Sequence, residues 1–337
     1  MTTTADRFLT DVKTLALDLV QAFGLTYGAS GPAADDLALQ RWMDYRLRHI
    51  TPTPRKVQKS LSFPVQNLPR EVNNALSALE ARFENGENVN PYLSKTTIGN
   101  DVSSQKKQWR TDGLWAEWRI HHLHLTDEPL APGDRFSKRA GWLLFAMVYD
   151  DAVALIDVRS HNETDLWTQD DLLKTFIDSW PEQAEPFRIS GMRVTPRLTA
   201  PGDVKLLRNA GITAPVEHNG EYYFGPGGGV TSAVTSSAAS LACIEVHRNT
   251  RQLAKWLDLP NQPLRLELAE LGVQDPQFAL EVSDSGLAIS ELALVERLWT
   301  FPEFNEKGKL TIFGVVKDRL LPNWAVPTLM AHLRSQP

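Results

Sequence analysis

Apolar residues recur at helical spacing over the first 85 positions, and near the middle of the chain they change to compact runs with a spacing of two. Phe8, Val12, Leu15, Leu19 and Phe23 mark one face of a helix that Gly24 would stop. A second helix is expected from about Ala33 to His49, with Leu37, Trp42 and Tyr45 on a mixed surface. Thr51-Pro52-Thr53-Pro54 ends it, because proline disfavours helical geometry in the residue before it. A third runs from Pro69 to about Glu84 on the stripe Val72, Leu76, Leu79, Phe83, with Gly86 just past its end. The apolar faces of these helices need a partner, most simply the sheet that follows. Residues 86 to 113 carry many Asn, Ser, Gly, Lys and Gln and few periodic apolar positions, which predicts an exposed connection.

Strand character begins after that. Leu114 to Leu125 has a period-two arrangement, and Trp142–Val148 and Ala152–Val158 flank Tyr149-Asp150-Asp151 as an antiparallel hairpin. Thr168-Gln169-Asp170-Asp171 starts a helix that Pro181 closes. Further on, Asp203 to Ala210 reads as a short helix and Val216 to Tyr223 as a hairpin about Asn219-Gly220. Thr235 to Leu257 reads as a long helix and Ser290 to Trp299 as another. Leu264–Leu268, Phe278–Ser283 and Leu310–Lys317 read as strands. The predicted class is α+β: N-terminal helices packed on a central antiparallel sheet, followed by a second mixed α/β region. The cut falls at 182, giving residues 1–182 with the sheet and residues 183–337 as the mixed region.

Composition narrows the function. At 337 residues, 42% apolar and 23% charged, the chain has the make-up of a globular protein long enough for two domains. No run approaches the roughly 18 apolar residues that span a bilayer, and the stretch from Met1 to Asp6 has no basic region leading into an apolar segment. The expectation is a cytoplasmic protein with no membrane partner. The single cysteine, Cys243, excludes an internal disulfide and a Cys-rich zinc site, and its apolar surroundings place it in a core. The net charge of −6 argues against a protein that coats nucleic acid indiscriminately. Locally the balance reverses: between Arg41 and Lys59 six cations face Asp44 alone. Lys106, Lys107 and Arg110 then precede the histidines discussed below, and Arg135, Lys138 and Arg139 follow them. Such groups are either solvated faces or contacts to an anionic ligand or partner.

Four of eight histidines lie between positions 121 and 161, three of them in Trp118-Arg119-Ile120-His121-His122-Leu123-His124-Leu125. Imidazole changes protonation near neutral pH and is a common metal ligand. On a strand His122 and His124 share a face, with Trp118 and Ile120, while His121 points the other way with Leu123 and Leu125. One chemistry open to the pair is a divalent metal ion held by His122 and His124 and completed by Asp157, Asp127 or His161. Another needs no cofactor: general acid–base cleavage of a phosphodiester, with His122, His124 and His161 exchanging protons and Arg119, Arg139 and Lys138 holding the phosphate. A third reading is structural, with the imidazoles half-buried and hydrogen-bonded beside Trp118 and Trp142.

Trp118-Arg119-Ile120, then Arg139-Ala140-Gly141-Trp142-Leu143-Leu144-Phe145-Ala146, then Ala154-Leu155-Ile156-Asp157-Val158-Arg159-Ser160-His161 resembles the strand series of RelE/ParE-type toxins over residues 114–162. The resemblance implies a small twisted antiparallel sheet on N-terminal helices and ribonuclease activity. It puts His161 at the family's histidine after the last such strand, and Arg119 or Arg139 at its basic positions. On this reading the protein is an RNA-directed enzyme, a growth-arrest or phage-defence effector, whose partners are RNA or another phosphate-bearing ligand and a neutralising protein or nucleic acid. A metal-dependent hydrolase and a non-catalytic protein docking an acidic partner through Arg41–Lys59 are the alternatives.

Gly225-Pro226-Gly227-Gly228-Gly229-Val230-Thr231-Ser232 precedes the long helix. Amides of Gly227, Gly228 and Gly229 with Thr231 are candidates for binding an anion, against a plain turn. The loop lacks the Gly-Lys-Ser/Thr ending of a P-loop. Ser236, Ser237 and Ser240 near His247 lack a Gly-x-Ser-x-Gly elbow. Trp109, Trp115 and Trp118 suit either base stacking or a core.

Overall fold

The structure, a computed structural model, describes residues 2–30, 32–64, 68–191, 201–294 and 297–336, with backbone alone at 32–36 and 201. In chain order the helices are α1 Thr4–Ala22, α2 Pro32–Arg48, α3 Arg70–Asn85, α4 Thr96–Gly99, α5 Gly113–Trp118, α6 Asp171–Ser179, α7 Pro181–Ala184, α8 Pro201–Asn209, α9 Ser237–Leu257, α10 Pro263–Glu270, α11 Ile312–Leu320 and α12 Val326–Ser335. The strands are β1 Lys56–Lys59, β2 His121–His124, β3 Trp142–Val148, β4 Ala152–Ser160, β5 Arg188–Ile189, β6 Val216–His218, β7 Glu221–Tyr223, β8 Phe278–Ser283, β9 Gly286–Glu291 and β10 Leu298–Trp299. The class is α+β. Among the described residues no helix is long and apolar enough to cross a membrane.

Two compact units divide the chain: residues 44–238, and residues 1–43 with 239–337. Residue 182, the expected boundary, falls inside the first of these. The segment after it, β5, α8 and the β6–β7 hairpin, belongs with the histidine-bearing sheet, and Val216 is buried in that sheet's core.

The sheet of unit 44–238 has the order β1-β4-β3-β2. β2, β3 and β4 pair antiparallel as the sequence suggests, and β1 adds a parallel edge to β4. Its short polar sequence, Lys56-Val57-Gln58-Lys59, carries little strand signal; β1 is held by the ladder. One face of the sheet packs Leu123, Leu125, Leu144, Ala146, Val153, Leu155 and Val158 against Val72, Leu76, Leu79 and Phe83 of α3. The other packs Ile120, Leu143, Phe145, Met147, Ala154 and Ile156 against Leu172, Leu173, Phe176 and Ile177 of α6. An irregularity in the β3–β4 register between Phe145 and Ala146 leaves Ile156 without a partner. It lets Ile156 stay with the α6 face while Leu155 and Val158 face α3. α3 is thus the N-terminal helix that covers this sheet, and it ends as expected at Gly86, φ 71°.

In unit 1–43 with 239–337, α1 packs against β8 and α12. Its start is fixed by a capping box between Thr3 and Asp6. Phe23, Trp42 and Trp324 form an aromatic cluster with centroids 5.3 to 5.8 Å apart, and Trp42 Nε1 donates to the Leu320 carbonyl at 2.8 Å. Three expectations change in this unit. Leu264–Leu268 is helical, in α10 behind Pro263 at its first position. Leu310–Lys317 enters helix α11, capped by Thr311 Oγ1 accepting from the Gly314 amide. Ser290 and Glu291 close strand β9 instead of opening a helix, and Leu298–Trp299 is strand β10; residues 295 and 296 of that expected helix lie outside the described residues.

Candidate functional site

Register places the histidines. His122 lies opposite Phe145 and His124 opposite Leu143, both on the α6 face, while His121 lies opposite Ala146 on the α3 face. β4 ends at Ser160, and the His161 amide bonds to the Gly141 carbonyl at 2.8 Å, which brings the third imidazole back beside the first strand. His122, His124, His161 and Arg139 all line one cavity of about 760 Å³. That volume falls in the range that holds a small ligand, roughly 300–1,000 Å³. The rings of His124 and His161 lie 6.1 Å apart and 13° from parallel. Trp167 meets His122 edge-on at 4.8 Å and His161 at 5.9 Å. Arg139 Nη2 donates to His161 Nε2 at 3.0 Å, so the last imidazole holds a guanidinium at the cavity wall.

The opposite wall is the segment expected to be an exposed connection. Leu93, Ser94, Lys95, Thr96, Gly99, Asn100, Gln108, Trp109, Thr111 and Asp112 line the cavity, and Thr97, Asn100, Asp101 and Thr111 are buried. The segment is polar because its side chains close it on itself. Asn100 Nδ2 and the Asp101 amide both donate to the Trp109 carbonyl, at 3.3 and 2.9 Å, and Thr111 Oγ1 donates to Asp44 at 2.6 Å.

Asp112 joins this wall to the histidines. Its Oδ1 caps α5 by accepting from the Trp115 amide at 3.2 Å. Its Oδ2 lies 3.3 Å from Arg48 Nη2 and 3.6 Å from His122 Nδ1, too far for a hydrogen bond to the ring but close enough for its charge to act. Burial pushes the Asp112 pKa upward, and the positive field of His122, Arg48 and Arg208 with the Trp115 amide outweighs it, so the carboxyl lies below its ordinary value. Burial pushes His122 down, opposed by Asp112 and aided by Arg48 and His161; the net direction is down. Burial, with His122, His161 and Arg139 nearby, lowers His124 to about 4, and the Ala140 amide lies 3.4 Å from its Nδ1. Near neutral pH both rings are therefore uncharged. Nδ1 of His122 is turned to a carboxylate, while Nδ1 of His124 accepts from an amide. The two rings thus favour opposite tautomers, a free Nε2 lone pair on His122 and an Nε2–H on His124.

The cations at the cavity are Lys95, Arg139 and Arg208, against Asp112. Arg208 of α8 spends Nη1 on the Trp167 carbonyl and Nη2 on buried Glu117, at 2.9 and 2.6 Å, and its Nε has no partner. Sequence reasoning passed over Asp112 and Arg208; an Asp just before Gly113-Leu114-Trp115 was the available sign of a helix start at Asp112, and none marked Arg208.

Other candidates lie elsewhere. Arg119 is not on a strand: it ends α5 at φ 62°, stacks on Trp115 at 4.7 Å and does not line the cavity. Leu114–Leu125 is therefore a capped helix followed by a four-residue strand. Lys138 is exposed and paired with Glu128. The amides of the glycine loop are already used: Gly227 and Gly229 donate to the Glu117 and Ala116 carbonyls, Gly228 to Gly225, and Thr231 to Thr235, each at 2.8 to 3.0 Å. Thr231 Oγ1 pairs with Thr235 Oγ1 at 2.8 Å. The loop caps the end of α5, and its expected anion site finds no free amide there. Gly225→Ala would bring a Cβ to 2.0 Å from the Glu117 oxygen, and unfolding in urea should show a loss of about 3 kcal/mol. Gly228→Ala, at φ 76° but with open space around it, should lose about 1 kcal/mol; equal losses would refute this assignment.

Of the basic run, Arg48 and Arg55 are buried, Arg48 on Thr96 and Asp112 and Arg55 on the carbonyls of Thr51, Thr53 and Tyr149. These two cations hold the fold together and are not offered to an acidic partner. Cys243, expected in a core, is only half-buried, between exposed Leu241 and Ile244, and burial raises its thiol to about 12. Trp115 and Trp118 are core, whereas Trp109 is 55% exposed and lines the cavity. Among the described residues no three His, Cys, Asp or Glu side chains are grouped to hold one metal ion. Asp157 pairs instead with Arg159 at 2.7 Å. No family model matches the chain, and neither a curated protein nor a solved structure matches it.

Proposed function

We propose that unit 44–238 is an acid–base enzyme acting on a phosphate ester, and that the ester is the phosphodiester of RNA. The observation that carries this reading is the convergence of His122, His124 and His161 with Arg139 and Arg208 on one cavity. His122, its Nδ1 against Asp112, takes the proton of a 2′-hydroxyl at Nε2, and the carboxylate stabilises the imidazolium that forms. The 2′-oxygen attacks phosphorus and the 5′-oxygen leaves, taking its proton from water. Arg139 and the Nε2–H of His124 carry the charge that builds on the phosphoryl oxygens, and Arg208 adds its positive field from the wall. His161 is the positioning residue for Arg139.

The resemblance to RelE/ParE-type toxins points the same way, toward a growth-arrest or phage-defence effector working in the cytoplasm and restrained by a neutralising partner. The test is cleavage of end-labelled RNA oligonucleotides in the presence of a chelator. Products should carry 2′,3′-cyclic phosphate and 5′-hydroxyl ends, a single 2′-deoxy substitution should protect its own linkage, and His124→Ala should slow cleavage about a hundredfold. Intact RNA under all conditions, or cleavage that a chelator abolishes and a divalent ion restores, would reject the mechanism; the second result would favour a metal on His122 and His124.

A further inference from the structure

Asn100 stands against the cavity at 6% exposure, and its Oδ1 is buried with no hydrogen-bond partner. The orientation of its amide is fixed by chemistry: the Trp109 carbonyl can only accept, so the nitrogen must face it, and the oxygen is left over. Nδ2 has two hydrogens and uses one on Trp109. Asn100 therefore retains one acceptor and one donor hydrogen, in a wall whose other members include Gln108 and Thr111. A buried acceptor without a partner is a cost that a ligand can remove. Next to it the Trp109 indole is 55% exposed at the same cavity, with Lys106 Nζ 4.3 Å from its ring centre. An exposed indole flanked by a cation is a stacking platform for a base in a single strand.

We propose that Asn100 and Trp109 form a subsite for an adenine base, placed across the cavity from the imidazoles. Adenine offers an amine donor beside a ring-nitrogen acceptor, the pattern that an asparagine amide meets with two hydrogen bonds, and a purine gives the indole more area to stack on than a pyrimidine does. The subsite rests on the reading of the cavity as an RNA site and supplies its specificity: cleavage next to adenosine in unpaired RNA. The Asp101 amide also bonds the Trp109 carbonyl, so the wall keeps one of its two ties when Asn100 is removed.

The experiment is equilibrium binding of adenosine 3′-monophosphate, and of its purine analogue lacking the amine, to the full chain. The wild type should prefer the adenosine nucleotide about 30-fold. Asn100→Ala should bind the two alike, and Trp109→Ala should weaken both about tenfold with the preference kept. Equal binding by the wild type, no binding of either at millimolar concentration, or an unchanged preference in a folded Asn100→Ala protein would overturn the subsite. The analogue comparison on the wild type decides the matter even if Asn100→Ala does not fold. His124→Ala, although about a hundredfold slower in cleavage, should keep the preference. Nucleotide preference without RNA cleavage would support the subsite and sink the ribonuclease reading; RNA cleavage indifferent to base would do the reverse.

Discussion

Asp112→Ala should lower the unfolding free energy by about 3 kcal/mol, while Asp112→Asn should cost about 1 kcal/mol and still slow RNA cleavage about a hundredfold. The alanine variant removes the cap of α5 and leaves Arg48, 3% exposed, without one of its two carboxylates. Arg48 keeps Thr96 Oγ1 at 2.9 Å, the Thr96 carbonyl at 3.3 Å and Asp44 at 3.5 Å. The loss therefore stays at the low end for a broken buried pair. Asparagine keeps an oxygen for the Trp115 amide but turns an amide nitrogen, a donor, toward Arg48, so the fold is preserved by the cap and by Arg48's remaining bonds to Thr96 and Asp44. It does not keep the charge that opposes the depression of His122. His122 becomes a weaker base, so the rate at neutral pH falls and the acid limb of the pH profile moves to lower pH. Urea unfolding and single-turnover cleavage, measured on both variants, separate the two roles. A neutral asparagine variant with unchanged rate and profile would remove His122 from the proton transfer.

The pairing of His122 with His124 was legible because a strand alternates its side chains, and two residues of separation suffice to put them on one face. The capture of His161 was half legible: a hairpin returns the chain, but the Gly141 contact that fixes His161 is a backbone bond with no sequence signal. The cavity's second wall was not legible. Residues 93 to 112 read as solvent-exposed because they are polar, yet Thr111, Asn100 and Asp101 are buried with partners supplied by the segment itself and by Asp44. Polarity reports hydrogen-bonding capacity, and tertiary structure decides whether water or protein meets it. Short apolar runs failed for a different reason. Leu264–Leu268 and Leu310–Lys317 have too few residues to separate periods of two and 3.6, and the marks that decide them are Pro263 and Thr311 at the ends. The glycine loop misled because glycine serves close approach as readily as anion binding: the Cβ of an alanine at 227 would lie 2.3 Å from the Ala116 oxygen.

Acidification should destabilise this protein over a window set by buried imidazoles. Burial lowers His49 to about 4, His121 to about 3 and His124 to about 4, from an ordinary 6.5; nearby arginines add to each. In the unfolded chain these rings take up protons near pH 6.5, whereas the folded protein resists until about pH 4 or 3. Between those limits the unfolded state binds more protons, so stability rises with pH and is lost as pH falls. Below about pH 3 the imidazoles cost no more, and Asp112, whose folded pKa lies below its ordinary value, adds a loss of the same sign in the acid range. His121 gives the cleanest test. It is 8% exposed on the α3 face, beside Trp115 and away from the cavity. Its share of the acid loss is on the order of 4 kcal/mol. His121→Leu removes the titrating group without touching His122 or His124, so urea midpoints followed from pH 7 to pH 4 should fall less steeply than in the wild type, while cleavage at neutral pH persists. Parallel curves for the two proteins would show that His121 is protonated in the fold at no cost, with the charge of Asp112 offsetting burial and the fields of Arg48 and Arg119.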